Sequence, residues 1–171
     1  MTKDPIQIYV ACLAAYNNGH LHGKWIDANQ PAWAIYDDIR DVLNTSPIVD
    51  AEEWAIHDHE GFGGVSISEY EGIERISELA SFIAEHGELG AELLSHFDDV
   101  KEARKALDEG YRGSFASLAD YVQELTEDCA RIPEHLRFYI DWESMARDVE
   151  WNGEVFTVQT AHDEVHVFTG V

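Results

Sequence analysis

Glu69-Tyr70-Glu71-Gly72-Ile73-Glu74-Arg75-Ile76-Ser77-Glu78-Leu79-Ala80-Ser81-Phe82-Ile83-Ala84-Glu85-His86-Gly87-Glu88-Leu89-Gly90-Ala91-Glu92 carries two interleaved patterns. Glu71, Glu74, Glu78, Glu85, Glu88 and Glu92 follow one another at gaps of 3, 4, 7, 3 and 4, with Arg75 the one base nearby. On an α-helix such spacings share a face, so they draw a carboxylate ridge. Ile73, Ile76, Leu79, Ala80 and Ile83 make a second stripe of the same period, suited to a core. Like charges at i,i+4 oppose a helix by about 0.2–0.5 kcal/mol per pair. Asp37–Asp41, Asp98–Glu102, Asp120–Glu124 and Glu124–Asp128 repeat the arrangement. Self-repulsion in several elements, seldom offset by lysine, needs a reason.

Working outward, the 171 residues suit one domain or two to three small packed units. A hydrophobic content of 45%, with five Trp, seven Tyr and seven Phe, is ample for real cores. The net charge is −23, from 34 acidic and 11 basic residues. It divides as −7 over residues 1–60, −8 over 61–103 and −8 over 104–171, so the acid belongs to a folded body and not to a tail. Such a field repels nucleic acid and anionic membranes and attracts basic protein surfaces. No apolar run approaches the roughly 18–20 residues of a membrane span, and no signal-peptide pattern opens the chain. Cys12 and Cys129 lie far apart without metal or redox spacing, and their apolar contexts predict buried, reduced thiols. A cytoplasmic protein is expected.

Ile6 to Leu13 reads as a first strand, Asn17-Asn18-Gly19 as a turn, and His20 to Asp27 as a second strand. Pro31 opens a helix with Ala32, Ile35, Tyr36, Ile39 and Leu43 buried and Asp37, Asp38 and Asp41 outside; Ser46-Pro47 ends it. A third strand over Glu53–His59 completes a β-β-α-β unit. Gly61-Phe62-Gly63-Gly64 marks a boundary, after which helices are predicted near 72–86, 88–96 and 98–109. Tyr111 to Phe115 is a short strand. Ser117-x-x-Asp120 resembles a capping box ahead of Leu118, Tyr121, Val122, Leu125 and Cys129. A helix over Asp141–Glu150, with Trp142, Met145, Ala146 and Val149 inward, precedes an Asn152-Gly153 turn and a hairpin of 155–159 with 165–168. The expected fold is α+β, an elongated chain of three small units at 1–61, 62–109 and 110–171.

Chemistry is harder to find. The chain lacks a phosphate loop with lysine, a nucleophile elbow and an acidic calcium loop. His20-x-His22 and His57-x-His59 are the best metal candidates, but typical zinc spacing is missing, and neither a metal nor a cofactor is assigned. His57, Asp58, His59 and Glu60 could form an acid/base pair for a small hydrolase, yet no nucleophile accompanies them. With so many acids some pair will always be close, which leaves glycoside cleavage open in principle. No catalytic residue is named.

For any one glutamate a solvated helical face is the plainer account. Collectively the unpaired repulsions reach about 1–3 kcal/mol, against a typical stability of about 5–15 kcal/mol. Salt-loving adaptation also yields acidic surfaces, though its solvent screens the repulsion. Charge density points elsewhere. Duplex DNA carries one charge per about 1.7 Å of axis, so 34 carboxylates equal the formal charge of roughly 17 base pairs, and a two-fold dimer that of about 34. A row of acidic units can therefore offer a DNA-reading protein a decoy.

Three stretches carry a resemblance. Ile8-Tyr9-Val10-Ala11-Cys12-Leu13-Ala14-Ala15-Tyr16-Asn17-Asn18-Gly19-His20-Leu21-His22-Gly23-Lys24-Trp25-Ile26-Asp27 is similar to the N-terminal signature of the ArdA antirestriction family. Glu53-Trp54-Ala55-Ile56-His57-Asp58-His59-Glu60 resembles the motif closing that family's first unit. Pro133 to Asp148 resembles its C-terminal antirestriction motif, and with similar length and acidity the likeness covers essentially the whole chain. Cys12 stands where relatives are expected to have a small residue such as Gly.

The resemblance implies a DNA mimic, borne on mobile DNA, that occupies the DNA-binding groove of type I restriction–modification enzymes. It implies dimerisation through the C-terminal unit and no catalytic site. The expected phosphate mimics, acting collectively, are Asp37, Asp38, Asp41, Glu71, Glu74, Glu78, Glu85, Glu88, Glu92, Asp98, Asp99, Glu102, Asp120, Glu124, Asp128, Asp141, Glu143, Asp148 and Glu150. Tyr111, Ser114 and Phe115 are candidates for a self-pairing edge at a dimer interface, with an ordinary core strand the alternative. The expected partners are the specificity and methyltransferase subunits of a type I enzyme and a second copy of the chain, not nucleic acid or membrane. The rival partner is another basic DNA-binding protein, such as a nucleoid protein.

Overall fold

The computed structural model describes residues 4–170, so the first three residues of the stretch read as lacking a signal peptide lie outside the described part. It is a mixed α+β protein with two separate three-stranded antiparallel sheets. The chain forms two compact units, Met1–Val100 and Lys101–Val171.

In the first unit β1 (Gln7–Cys12) is the centre of a sheet ordered β2-β1-β3, flanked by β2 (Gly23–Asp27) and β3 (Trp54–Glu60). Its β-branched and apolar run is buried at Ile8, Val10 and Cys12, consistent with a strand paired on both edges. The expected second strand is shorter than 20–27: its ladder with β1 begins only at Gly23, opposite Ala11, and Leu13–Asn17 forms a short helix, α1, ahead of it. His22 is then held outside the strand, its Nε2 2.8 Å from the Val42 carbonyl.

Helix α2 (Ala32–Asn44) begins immediately after Pro31, whose fixed φ and missing N–H suit a helix start. Its buried side chains are Ile35, Ile39 and Val42. Tyr36 was expected inside but is exposed, and its hydroxyl reaches the Glu74 carboxylate at 3.4 Å. Val42 takes the place expected of Leu43 and packs with Cys12 and Ala15.

Helix α3 (Ile73–Phe97) buries the whole apolar stripe, Ile73, Ile76, Leu79, Ala80 and Ile83, together with Phe82, Leu93 and Leu94. It is broken at Gly87, where φ 64° and ψ −142° are open to glycine alone. Gly90 is different. It is helical and buried, and glycine suits it because a side chain there would meet the His86 Cβ at 2.9 Å. Asp98 closes the helix in the left-handed region.

Helix α4 (Val100–Lys105) and a π turn (Ala106–Gly110) lead to β4 (Tyr111–Phe115). The second sheet is ordered β4-β6-β5, with β5 (Val155–Ala161) and β6 (Glu164–Thr169) as the expected hairpin. Helices α5 (Leu118–Cys129) and α6 (Trp142–Trp151) cover one face, Tyr121, Val122 and Ala146 clustering with Val155 and Val167 of the sheet. The opposite β6 positions, His166 and Phe168, are buried, with the rings of Tyr111 and Phe156 stacked against them, as the two-residue period of a strand requires.

Both α5 and α6 are capped by their own side chains. Ser117 Oγ accepts from the Asp120 N–H at 3.2 Å, and Asp141 Oδ1 accepts from the Ser144 N–H at 3.0 Å. The Asp120 carboxylate does not reach back to the Ser117 backbone but takes the Ser117 hydroxyl at 3.0 Å. Replacing Ser117 by Ala is expected to lower stability by about 1 kcal/mol in a denaturant titration, with native secondary structure retained.

The thiol expectation holds for Cys12, which is fully buried, and fails for Cys129, which is exposed. The α5 apolar stripe outruns its cover: Leu125 is exposed too, and the sheet protects only the first half of the helix.

Candidate functional site

The candidate site is a surface, and its members divide by how they are held. Asp38 and Glu71 are half-buried and the other expected phosphate mimics are exposed. Those two have internal partners. Asp38 meets Lys24 Nζ at 3.3 Å and Gln30 Nε2 at 2.9 Å, and Glu71 meets Arg75 at 3.2 Å and the Ser68 N–H at 3.2 Å. Arg75 also spans to Asp98 at 2.9 Å, and Arg40 pairs with Asp37. Glu74 accepts from Tyr36, and Glu85 lies 3.7 Å from His86 Nε2. Asp120 and Asp141 serve their helix caps. The Asp141 carboxyl is held below the ordinary carboxylate range, chiefly by the Ser144 N–H and then by the Ser144 hydroxyl.

A second group has no such anchor. Among the described residues the carboxylates of Asp41, Glu78, Glu88, Glu92, Glu102, Glu124, Asp128, Glu143, Asp148 and Glu150 make neither an ion pair nor a side-chain hydrogen bond. Four of them also stand at the wrong end of a helix. Asp41 lies in the last turn of α2, Asp128 in that of α5, and Asp148 and Glu150 in that of α6, none of which contains a base. The helix dipole disfavours negative charge there by about 0.3–1 kcal/mol per group at low salt. These acids are placed against the stability of their own helices.

The expected ridge is real within each half of α3. Glu74 and Glu78, one turn apart, stand before Gly87, and Glu88 and Glu92 stand after it. Glu71 precedes the helix and is drawn to Arg75.

The residues weighed for metal or hydrolytic chemistry are employed separately. His57 is edge-on to Tyr16 and 3.6 Å from Glu69, and His59 is edge-on to Phe62. Asp58 accepts from the His59 N–H, and Glu60 accepts from Gln7 Nε2 at 2.8 Å. Among the described residues no group of three or more His, Cys, Asp or Glu side chains is arranged to hold a metal ion. No helix among them is long and apolar enough to cross a membrane.

Tyr111, Ser114 and Phe115 lie on β4, which is an edge of its sheet. Ser114 and Tyr111 are exposed and Phe115 is half-buried, and both aromatic rings contact partners of their own unit. The Tyr111 hydroxyl is 2.8 Å from His166 Nδ1, and Phe115 meets the Tyr121 ring edge-on. Burial first, and the Glu164 charge second, push the Tyr111 phenol above its ordinary value. A phenol raised in the folded state stabilises fully below the unfolded value of 10.0 and loses that contribution as pH rises through the folded value. Glu164→Gln is therefore expected to move the Tyr111 transition to lower pH in an ultraviolet titration, with Tyr111→Phe identifying it.

Sequence reasoning missed two concavities. One, of about 790 Å³, lies at the end of α5 and is lined by residues 127–134 with Arg137, whose guanidinium is engaged by Glu127 and Glu134. The other, of about 290 Å³, is lined by Leu13, Glu52, Glu53, Trp54 and Tyr70. The adjacency Glu52-Glu53-Trp54 was visible in the sequence, but Tyr70 joins it only through tertiary pairing. A search of curated proteins returns no match. A family model described as Antirestriction protein (ArdA) matches residues 8–164 of the 171, and the chain accordingly belongs to the ArdA family of antirestriction proteins.

Proposed function

We propose that this antirestriction protein works as a mimic of B-form DNA, laying its carboxylates in the DNA-binding groove formed by the specificity and methyltransferase subunits of a type I restriction–modification enzyme. ArdA is a non-catalytic antirestriction family whose members act on restriction enzymes in general. Inhibition then proceeds by occupancy. A cationic channel that binds DNA gains affinity by exchanging counterions for fixed anions, and an acidic protein face can supply those anions in the same way.

The observation that carries this reading is the set of exposed acids left without internal partners, several of them at helix C-termini where their own fold disfavours them. A merely solvated surface has no need of that placement. The protein is further proposed to act in the cytoplasm, and as a homodimer joined through its C-terminal unit. Support for the dimer comes from the open β4 edge and from Phe138 and Tyr139, 93% and 85% exposed on the short helix Glu134–Tyr139. Side chains of that size favour being covered.

The test is a competition titration. The protein and a DNA duplex are titrated against one type I methyltransferase across a salt series. Mutually exclusive binding, weakening steeply as salt rises, is expected. Simultaneous binding of both, or an affinity indifferent to salt, sinks the proposal. Binding only to a different basic DNA-binding protein would transfer the same mimicry to that partner.

A further inference from the structure

The two faces of the β2-β1-β3 sheet can be told apart from its register. Ile8, Val10 and Ile26 are buried, and Lys24, paired with Val10, meets Asp38 of α2 at 3.3 Å, so these positions face the helix. Residues alternate along a strand and directly paired residues share a face. The other face therefore carries Asp58, Tyr9 and Trp25 in one row and Glu60, Gln7 and Asp27 in the next. Lys24 is the one lysine or arginine on the three strands, and it lies on the helix side. The outer face thus presents three exposed carboxylates and no base. Each is held by a neutral donor. The Asn29 N–H donates to Asp27 Oδ1, the His59 N–H to Asp58 Oδ1 and Gln7 Nε2 to Glu60 Oε2, all at 2.8 Å. Such bonds orient a carboxylate without cancelling its charge. The aromatic rings belong to the same surface. Tyr9 and Trp25 have centroids 5.4 Å apart and are tilted by 60°, so they touch without closing on each other's faces. A Cβ at Gly23 would stand 2.7 Å from the Tyr9 Cζ and hydroxyl, which places the end of that ring along the sheet, over the neighbouring strand. Trp25 is 36% exposed. The solvated face of an antiparallel sheet is ordinarily polar, and a tryptophan at its middle is a contact surface left open.

We propose that this sheet face docks an extended basic segment of the partner protein, with an arginine of that segment lying on the Tyr9–Trp25 pair. Charge complementarity selects the occupant. Three carboxylates without a base repel nucleic acid and a second copy of a chain of net charge −23, and an apolar segment would leave them unmatched. The spacing suits an extended chain. Paired strands lie about 4.8 Å apart and successive same-face positions about 7 Å apart, so Asp58 and Asp27 flank the rings within the reach of neighbouring basic side chains. Arginine is favoured over lysine because a planar guanidinium stacks on an aromatic face and still offers its fork of N–H donors to a carboxylate. An ammonium gains the charge alone. The face adds to phosphate mimicry an apolar element, which no phosphate supplies. That the segment belongs to a restriction enzyme rests on the function proposed above; the preference of the face for arginine does not.

The test uses the full ¹⁵N-labelled chain with the peptide Gly-Arg-Gly-Arg-Gly amide as probe and its lysine counterpart as control. The indole N–H signal of Trp25, assigned with Trp25→Phe, should shift saturably at physiological salt. Those of the exposed Trp33 and Trp151, off this face, should move less. Trp25→Leu, followed at the backbone amides of Tyr9 and Gly23, should weaken the arginine peptide about three- to fivefold and the lysine peptide less. Asp27→Asn with Asp58→Asn keeps both rings and should weaken both peptides. A Trp25 signal that moves no more than those of Trp33 and Trp151 overturns the docking face. So does an arginine affinity unchanged by Trp25→Leu, or one equal to that of the lysine peptide, since either leaves only diffuse acidity. With neither enzyme nor DNA in the sample, a negative result here does not touch the competition titration. A negative competition would remove the restriction enzyme as the source of the segment and leave the face in place.

Discussion

Exchanging Asp41, Glu78, Glu92, Glu124, Asp128, Asp148 and Glu150 together for their amides is expected to weaken competition with DNA for a type I methyltransferase by about 10²–10³-fold. If each exposed carboxylate contributes about 0.5 kcal/mol against a basic channel, the combined loss reaches this range at about 1.4 kcal/mol per decade. Any single member should change affinity by about two- to threefold, which is why no one acid stands out. The same variant should melt at an unchanged or higher temperature. Among the described residues none of these carboxylates has an internal partner, and Asp41, Asp128, Asp148 and Glu150 oppose the dipole of their own helices. The converse set is Asp38, Glu71, Asp98 and Asp141, which hold Lys24, Arg75 or the Ser144 N–H. Amides there should lower stability more than they lower competition. Calorimetric melting alongside the competition titration reads both quantities. A variant of the first set that competes like the parent protein ends charge mimicry; one that loses competition only because it unfolds ends the division of roles.

How much of this was legible beforehand differs by level. Elements with a strong period were. The β1 run, the α3 apolar stripe, the Ile35 and Ile39 core of α2 and the Ser117 cap of α5 were readable because each is decided by residues within a few positions of one another. What depended on a distant partner was not. Tyr36 has the position of a buried residue on α2, yet its hydroxyl is drawn outward to Glu74 on α3. Cys129 continues the α5 stripe beyond the part of the helix that the sheet covers. The acids were all visible, but their sorting into those held by Lys24, Arg40 or Arg75 and those left open requires the packing of separate elements. Glu52, Glu53 and Trp54 were adjacent in sequence, and only the pairing of Ile56 with Glu69 brings Tyr70 to them.

Gly61→Ala is expected to produce the largest loss of stability of any single change considered. The Gly61-Phe62-Gly63-Gly64 run has the composition of a loose linker, but it is a packed turn inside the first unit. Phe62 is fully buried, and a Cβ at Gly63 would stand 2.9 Å from that of Ala91. Gly61 itself has φ +83°, and a Cβ there would lie 2.4 Å from the Pro5 carbonyl oxygen and 2.8 Å from the Ile6 Cα. Those neighbours are backbone, so they cannot rotate away. The strand that begins at Gln7 is fixed on both sides, by β2 and β3, and Ala28 donates to the Ile6 carbonyl at 2.9 Å. The left-handed conformation contributes about 1–2 kcal/mol of strain for an L side chain, and forcing the backbone aside adds about 1–3 kcal/mol. A total of about 2–5 kcal/mol is a large fraction of the stability of a small unit. Gly72→Ala is the matched control: its φ is −62° and nothing lies within 4 Å of the added methyl, so the change should be under about 1 kcal/mol. Denaturant midpoints for the two variants decide the matter. Equal midpoints would mean that the turn yields easily, and that Gly61 is a hinge instead of a joint.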